Sequence, residues 1–401
     1  MRTALEIVFW VSGALIVWTQ LGYALALALT ARVLRPAPLS ARARPQRSPG
    51  RGGADLESFH PSDELRSVSL IVAAHDEQEV IAAKVANGLA LEYPRELLEL
   101  IVVCDGCTDS TAERAREAGA DLVLELPRGG KVRAQDAAVR AARGEVVAFS
   151  DANALWEPDA LAQLLRAFED PRVGYVCGQV RFVQAASGER ATNQEGIYWR
   201  YEMAVRTLES RLRSITAGNG AIYATRRDTY IEVDPIMGHD LSFPFNMVKR
   251  GLRAVYQPSA RASEKMTPSI ETEFARKRRM MSHAWPIVLR GGMISPRGYG
   301  LGYGLMILSH RLLRYATPAL HLLLLAADVA LVASGAGALY VAALALQLAL
   351  ICAAALAGRV RTRPLLIARY YVLTTTSLAA GLWDWLRRGT AASWDAAEGT
   401  R

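Results

Sequence analysis

Apolar positions are arranged in two different ways along this chain. From Leu5 to Thr30 they run almost unbroken as LEIVFWVSGALIVWTQLGYALALALT, with Glu6 near the start and Gln20 inside. A helix of that length crosses a hydrocarbon core of about 30 Å. A cleaved signal peptide would carry a basic leader and a shorter apolar stretch ending in small residues; here a single Arg2 precedes a longer run, so residues 1–35 are expected to form a retained membrane anchor. Arg32, Arg35, Arg42, Arg44, Arg47 and Arg51 follow in a Pro-, Ser- and Gly-rich stretch. That composition predicts a flexible linker over 36–66, and its arginines place this end of the helix in the cytoplasm.

In the middle of the chain the pattern shortens. SVSLIVAA (Ser67 to Ala74), LELIVVCD (Leu98 to Asp105) and GEVVAFSD (Gly144 to Asp151) read as buried strands. EQEVIAAKVANGLALEY (Glu77 to Tyr93) and TDSTAERAREAGA (Thr108 to Ala120) carry helix-period apolar positions between them. Strand–helix–strand units build a parallel sheet whose ligands sit at the carboxyl ends of the strands, so residues 67–285 are expected to form an α/β domain working at Ala74, Asp105 and Asp151.

Beyond Trp285 long apolar stretches return. SHRLLRY (Ser309 to Tyr315) is basic and amphipathic, and residues 286–315 are expected to lie at the membrane surface. The run from Ala316 to Gly358 holds one carboxylate, Asp328, and one histidine, His321, which is length enough for two spans joined near Ser334 to Gly337. After the basic RVRTR (Arg359 to Arg363), a last apolar segment interrupted by Arg369 and Asp384 either crosses or re-enters the membrane. Residues 316–401 are thus read as two to three spans and a tail. No repeat at a solenoid period is evident.

Composition sharpens this picture. An apolar content of 51% is high for a soluble protein. The net charge of +8 is carried mainly beside the apolar stretches, which fits anionic membrane lipids and the positive-inside rule and excludes nucleic acid as the expected partner. Four cysteines form no disulfide framework; Cys104 and Cys107 make a CxxC without the second pair or histidines that a zinc site needs.

Candidate chemistry gathers at the strand ends. Asp105 opens the turn DGCTDST into a helix, an arrangement that offers a carboxylate and backbone N–H groups to a polar ligand and serves equally well as a helix N-cap region. Asp151 ends FSD, with Asn153 two positions on, so two oxygen ligands can face one hard cation. Asp240, in MGHDLSFP, is placed to act as a general base, and His239 beside it is a rival for that role. FARKRRM (Phe274 to Met280) groups four basic side chains that either clamp a departing diphosphate or mark the cytoplasmic side.

In order, the segments VAAHDEQEV, VVCDGCTDST, GGKVRAQDAAVRAARGEVVAFSDAN, AGNGAIYATRR, GHDL and RKRRM resemble family 2 of the inverting glycosyltransferases. The chain is similar to its membrane-bound bacterial members that make exopolysaccharide, relatives of cellulose, chitin and hyaluronan synthases, and the resemblance extends from the N-terminal span to the Ser-Trp pair at Trp394. It implies a GT-A fold, a single nucleotide-diphospho-sugar-binding α/β domain, with transmembrane helices at both ends. By the same resemblance Ala73, His75, Glu77 and Asp105 hold the nucleotide, usually of UDP, and Lys131 belongs to the donor site. Asp151 coordinates Mg²⁺ or Mn²⁺ with Asn153 as the second ligand, and Asp240 is the catalytic base. Arg276 and Arg279 stand where many members have the Q and R of QxxRW, a diphosphate and acceptor motif. The implied partners are a nucleotide-sugar donor, a glycan or lipid-linked acceptor and membrane lipids; the implied location is a bacterial inner membrane with the catalytic domain cytoplasmic.

Four departures qualify the resemblance. Asn153 replaces the second aspartate of DxD; His239 replaces an acidic neighbour of the base; Arg276 and Met280 replace the Gln and Trp of QxxRW, which argues against processive polymer synthesis. Asp136 stands where asparagine is common. Asn153, His239 and Arg276 motivate an alternative, a membrane-anchored pseudo-transferase that binds nucleotide sugar as a sensor. An NAD-dependent oxidoreductase is excluded because HDEQEV follows the first strand in place of a Gly-rich turn.

Overall fold

A computed structural model describes residues 1–35, 65–183, 193–265, 270–360 and 362–392. Most of the linker, residues 36–64, and the terminal pair Ser393 and Trp394 lie outside the described residues.

The central unit is an eight-stranded mixed sheet. Its strands are β1 (Val68–Ala74), β2 (Leu98–Asp105), β3 (Leu122–Leu126), β4 (Val146–Asp151), β5 (Leu155–Trp156), β6 (Val173–Val183), β7 (Ile222–Arg226) and β8 (Arg253–Lys265), in the order β3-β2-β1-β4-β7-β6-β8-β5. The first half is parallel: β1 pairs with β2 and β4, and β2 with β3. The second half begins where β7 runs antiparallel to β4. The three strands expected from sequence are all present and adjacent. Ala74 is in register with Cys104, and Ala73 with Asp151, so the carboxyl ends of β1, β2 and β4 form one edge.

Both faces of the sheet are buried, which is why the strands read as continuous apolar runs. Successive side chains of β1 enter different cores, Leu70 and Val72 on one face and Ile71 and Ala73 on the other. The first face is covered by α3 (Ile81–Leu89), α4 (Thr111–Glu117) and α6 (Ala160–Arg166). The second carries α5 (Lys131–Ala141) and α8 (His239–Lys249), with α7 (Asn193–Leu212) alongside.

Among the described residues four helices are long and apolar enough to cross a membrane. The first covers Arg2–Leu34 as α1 (Arg2–Val17), a π turn (Trp18–Gly22) and α2 (Tyr23–Leu34). The second covers Leu301–Ala333 as α10 (Leu301–Met306), a π turn (Ile307–Leu312) and α11 (Leu313–Ala333), after α9 (Ile270–Leu289). The others are α12 (Ala338–Leu356) and α13 (Arg363–Arg388). At 33 residues each, the first two are longer than a hydrocarbon core requires. The excess packs on the α/β unit: Tyr23 and Leu27 join Val205, Phe245, Ile287, Tyr303 and Ile307 in one buried cluster. Farther along, Phe9 meets Ala327, Leu331 and Tyr340.

Residues 286–315 differ from the expected surface-lying segment. α9 continues past Trp285 to Leu289, and SHRLLRY falls inside the second long helix, with His310 and Arg311 buried. The physical reason is pairing, because Glu202 and Glu209 of α7 face these basic groups and take the place of water or lipid headgroups. α13 divides its contacts. His321 and Ala354 meet Tyr371 and Arg369 in its first half, and Asp384 in its second half grips Arg278 of α9 at 2.5 and 2.6 Å.

Candidate active site

The site begins with a glycine turn. Asp105, buried at the end of β2, accepts hydrogen bonds from the backbone N–H groups of Gly129 (2.6 Å) and Gly130 (2.9 Å). Gly130 sits at φ +96°, a conformation that side chains disfavour, and the turn delivers Lys131 as the first residue of α5. The Lys131 ammonium rests on the Asp151 carboxylate at the end of β4. Asp105 therefore shapes the loop that aims Lys131. His75 Nδ1 bonds the Asp105 carbonyl at 2.8 Å, and Glu77, also buried, donates its own backbone N–H to the Thr111 hydroxyl oxygen. Ala73 lies fully buried in β1, in register with Asp151. All the residues assigned to the nucleotide side meet at one edge of the sheet.

A second loop, Ala217 to Gly220, closes the site from the β7 side. A side chain at Gly218 would run into the Tyr175 hydroxyl; a Cβ at Gly220 would lie 3.4 Å from Lys131 Nζ and 3.9 Å from Asp151 Oδ2. Arg206 of α7 holds the Gly218 carbonyl at 3.0 Å, and Asn219 braces Gly178 and Ile222. The Gly218 N–H donates to the main-chain carbonyl of Asp240 at 2.7 Å. The glycines of AGNG thus bring α8 close to β4.

Asp240 occupies the first turn of α8. Burial pushes its carboxyl above the ordinary carboxylate range; Lys131 opposes the shift and Asp151 adds to it. Glu264, near the end of β8, is pushed up to about 7, first by burial and then by Asp151, against Lys131, Arg276 and Lys84. Carboxylates from α8, β4 and β8 thus share one electrostatic environment.

His239 takes another part. It is buried against Phe243, its ring centroid 4.2 Å away, and burial with help from Lys131 lowers its pKa to about 3. Both ring nitrogens have partners, Tyr223 at Nδ1 (2.9 Å) and Tyr230 at Nε2 (3.4 Å). One proton order satisfies the chain: Gln135 donates to Tyr223, Tyr223 to His239 Nδ1, His239 Nε2 to Tyr230, and Tyr230 to Asp136. His239 is a neutral strut that fixes the start of α8, and Asp136 is the acceptor at the end of the chain.

The basic cluster on α9 also divides. Lys277 bonds Tyr370 and Thr374, and Arg278 pairs with Asp384, so these two anchor α13. Arg276 acts electrostatically on Glu264, which places it toward the cleft. Arg279 is exposed and influences His283, a group that also feels Asp240. Asn153 is half-buried in the turn that follows Asp151.

Residues absent from the sequence expectations include Lys84, Glu264 and Arg206. Lys84 is completely buried behind the Asp151 turn, and burial lowers its pKa to about 7 against the pull of Asp151 and Glu264. In sequence it looks like a polar position of an amphipathic helix; only the packing shows otherwise.

The donor set suits a hard divalent cation. The candidate ligands, the Asp151 carboxylate and the Asn153 amide, offer oxygen, and the Lys131 ammonium already stands as a cation on Asp151. Burial, with repulsion from Asp151 adding to it, holds the Asp240 and Glu264 carboxyls above their ordinary range, and Lys131 offsets the shift only in part.

Comparison with known proteins follows the same lines. Residues 66–282 match the profile of Glycosyltransferase like family 2. A curated relative, the poly-beta-1,6-N-acetyl-D-glucosamine synthase of Staphylococcus aureus, is 24% identical over 209 residues, 49% of this chain and 50% of that protein. The beta-monoglucosyldiacylglycerol synthase of a Nostoc species is 36% identical over 124 residues, 29% of this chain and 26% of the relative. The chain thus spans half or less of the length of these relatives. Among solved structures, the mannosyltransferase PcManGT of Pyrobaculum calidifontis, in complex with GDP-Man and Mn²⁺, superposes with a TM-score of 0.65 at 22% identity, covering 95% of this chain and 99% of that one. The likeness shows a shared GT-A fold. With the family profile covering more than half of its length, the chain belongs to glycosyltransferase family 2.

Proposed function

We propose that this enzyme transfers a sugar, with inversion, from a nucleotide-sugar donor to a glycan or lipid-linked acceptor at the cytoplasmic face of the membrane. The observation that carries the reading is the convergence of Lys131, Asp151 and Asp240, from α5, β4 and α8, in one charge-coupled cleft. The nucleotide, on this reading UDP, lies along the ends of β1 and β2 beside His75, Glu77 and Asp105. Its diphosphate lies toward Lys131 and Arg276, which stabilise the charge that develops as the bond to the anomeric carbon breaks. The acceptor hydroxyl attacks the opposite face of that carbon, and Asp240 takes its proton. Its raised pKa makes Asp240 a better base near neutrality than an exposed carboxylate would be. Mg²⁺ or Mn²⁺, held by Asp151 and Asn153, would supply further neutralisation of the diphosphate.

The orientation rests on Arg32 and Arg35, at the end of the first long helix that packs on the catalytic unit, where the positive-inside rule expects the cytoplasm. An acceptor at the membrane surface, as in cell-surface polysaccharide or glycolipid synthesis, fits a catalytic unit packed against the ends of the first two long helices. The sensor alternative loses one of its motives, since the His239 substitution serves packing.

Membranes containing the protein, incubated with labelled UDP- and GDP-sugars, should yield product from one donor, with anomeric configuration opposite to that donor. A retained configuration would overturn inversion. Donor binding without transfer or hydrolysis in purified protein would favour the sensor.

A further inference from the structure

Behind the Asp151 turn, on the side away from Lys131, α3 presents a side chain that the mechanism does not use. Lys84 has no exposed surface, and its Nζ donates to the Ala154 carbonyl at 2.6 Å and lies 3.4 Å from Asn87 Oδ1. One helical turn on, Asn87 holds both main-chain groups of Trp156, its amide donating to the carbonyl and its oxygen accepting from the N–H, each at 2.9 Å. The Trp156 indole in turn donates to the Ala221 carbonyl at 3.0 Å. Residues 151–156 are therefore fastened to α3 on one side and to the start of β7 on the other. The Ala154 N–H closes the turn on the Asp151 carbonyl at 3.2 Å, with Asn153 between them.

We propose that Lys84 is a positioning residue for the cation site: by gripping the Ala154 carbonyl from behind, it holds Asp151 and Asn153 in the arrangement that binds a divalent ion. The inference rests on the reading of Asp151 as a metal ligand given above. Burying a lysine amine carries a desolvation cost that a well-packed apolar side chain does not. Packing alone does not account for a lysine here, because a methionine fills similar space. What the amine adds is a hydrogen bond from Nζ to the loop carbonyl, which methionine cannot make. Groups that orient metal ligands in this way typically alter metal affinity by about 10–100-fold when removed.

The proposal opposes simple electrostatics. Lys84 lies within the charge range of Asp151, so on charge alone its neutralisation would tighten cation binding. As a brace, its loss must weaken it. The test uses full-length protein in detergent, without donor, titrated with Mn²⁺ and read by the EPR signal of the free ion. Lys84→Met should bind Mn²⁺ on the order of tenfold more weakly than the parent while its thermal unfolding temperature holds or rises. Lys84→Gln, neutral but still a donor, should fall between the two, and it also serves as the readable variant if Lys84→Met does not fold. Equal or tighter Mn²⁺ binding by either variant would overturn the proposal. Asp151→Ala is the control for the underlying reading. If it leaves Mn²⁺ binding unchanged, the ion sits elsewhere and the metal assignment fails first; if it abolishes binding while the Lys84 variants match the parent, only the brace is wrong.

Discussion

Among the described residues two groups of buried charge stand out, one in the candidate catalytic cleft and one where the long helices meet the α/β unit, and their carboxyls shift in opposite directions. At the helix junction Glu209 is wholly buried, yet its pKa lies below the usual range because His310 and Arg311 outweigh the effect of burial. Glu202 is lowered further by Arg314 and His310. Glu209 collects the Tyr23 hydroxyl at 2.6 Å, His310 Nδ1 at 2.7 Å and the Thr216 N–H at 3.0 Å, joining α2, the second long helix and α7. In the cleft the same residue types are raised, because Lys131, Lys84 and Arg276 do not outweigh burial and mutual repulsion. At the junction the basic partners outweigh burial, whereas in the cleft burial prevails and Asp240 and Glu264 hold their protons more tightly than exposed carboxyls do. Paired charge fastens the parts together, and carboxyls shifted upward stand where chemistry occurs.

The sharpest way to break the comparison is to remove one carboxylate from each side. Asp240→Asn should reduce transfer by about 10²–10⁴-fold while donor binding persists, read by product formation and by donor titration. Transfer at the parental rate would remove Asp240 from the reaction. Glu209→Leu should do the reverse in kind. It strands His310 and Arg311 without their carboxylate, a change that costs about 3–5 kcal/mol when a buried pair is broken. A marked fall in thermal stability, with loss of activity only as the protein unfolds, is the expected result; an unchanged melting temperature would mean that the junction does not hold the parts together.

A smaller effect separates the two by pH. Glu264 keeps its proton up to about 7 in the folded protein and releases it near its ordinary 4.5 when unfolded, so the native state binds more protons across that window. Its contribution to stability therefore declines as pH rises from about 4.5 to 7, and Glu264→Gln should flatten that slope. Glu202 and Glu209 have lowered pKa values, so their contribution is full above the ordinary range and is lost as pH falls below it. Unfolding temperatures of parent and Glu264→Gln from about pH 3 to about pH 8 will show whether the slopes are opposite, the Glu264 slope lying above about pH 4.5 and that of Glu202 and Glu209 below it.

Much of the cleft was legible in the sequence because strand ends leave local signals. The runs ending at Ala74, Asp105 and Asp151 are contiguous and apolar, and parallel pairing brings their ends together whatever surrounds them. The order of the motifs added Asp240, which lies far along the chain. The junction was not legible. Glu202, Glu209 and the basic residues of SHRLLRY look like solvated positions on amphipathic helices, and their charges become informative only once α7 and the second long helix are packed together. Lys84 escaped for the same reason. His239 shows the opposite failure: its type suggested a base, while the tyrosines that occupy both its nitrogens come from β7 and the segment after it.

Asp136 offers the finest distinction, between a carboxylate that does chemistry and one that only ends a hydrogen-bond chain. Burial raises its pKa, as it does for Asp240, so direction alone would place it with the cleft. Its geometry argues otherwise: it accepts from the Tyr230 hydroxyl at 2.7 Å, and an amide oxygen accepts that bond equally well. Asp136→Asn should therefore leave transfer unchanged and hold stability within about 0.5 kcal/mol, or raise it slightly by removing a partly buried ionisable group. Thermal unfolding and initial rates on the same preparation test both halves. A large loss of rate with stability intact would mean that the proton order through Tyr230, His239 and Tyr223 acts on Asp240 itself, and the chain from Gln135 to Asp136 would then belong to the reaction rather than to the packing of α8.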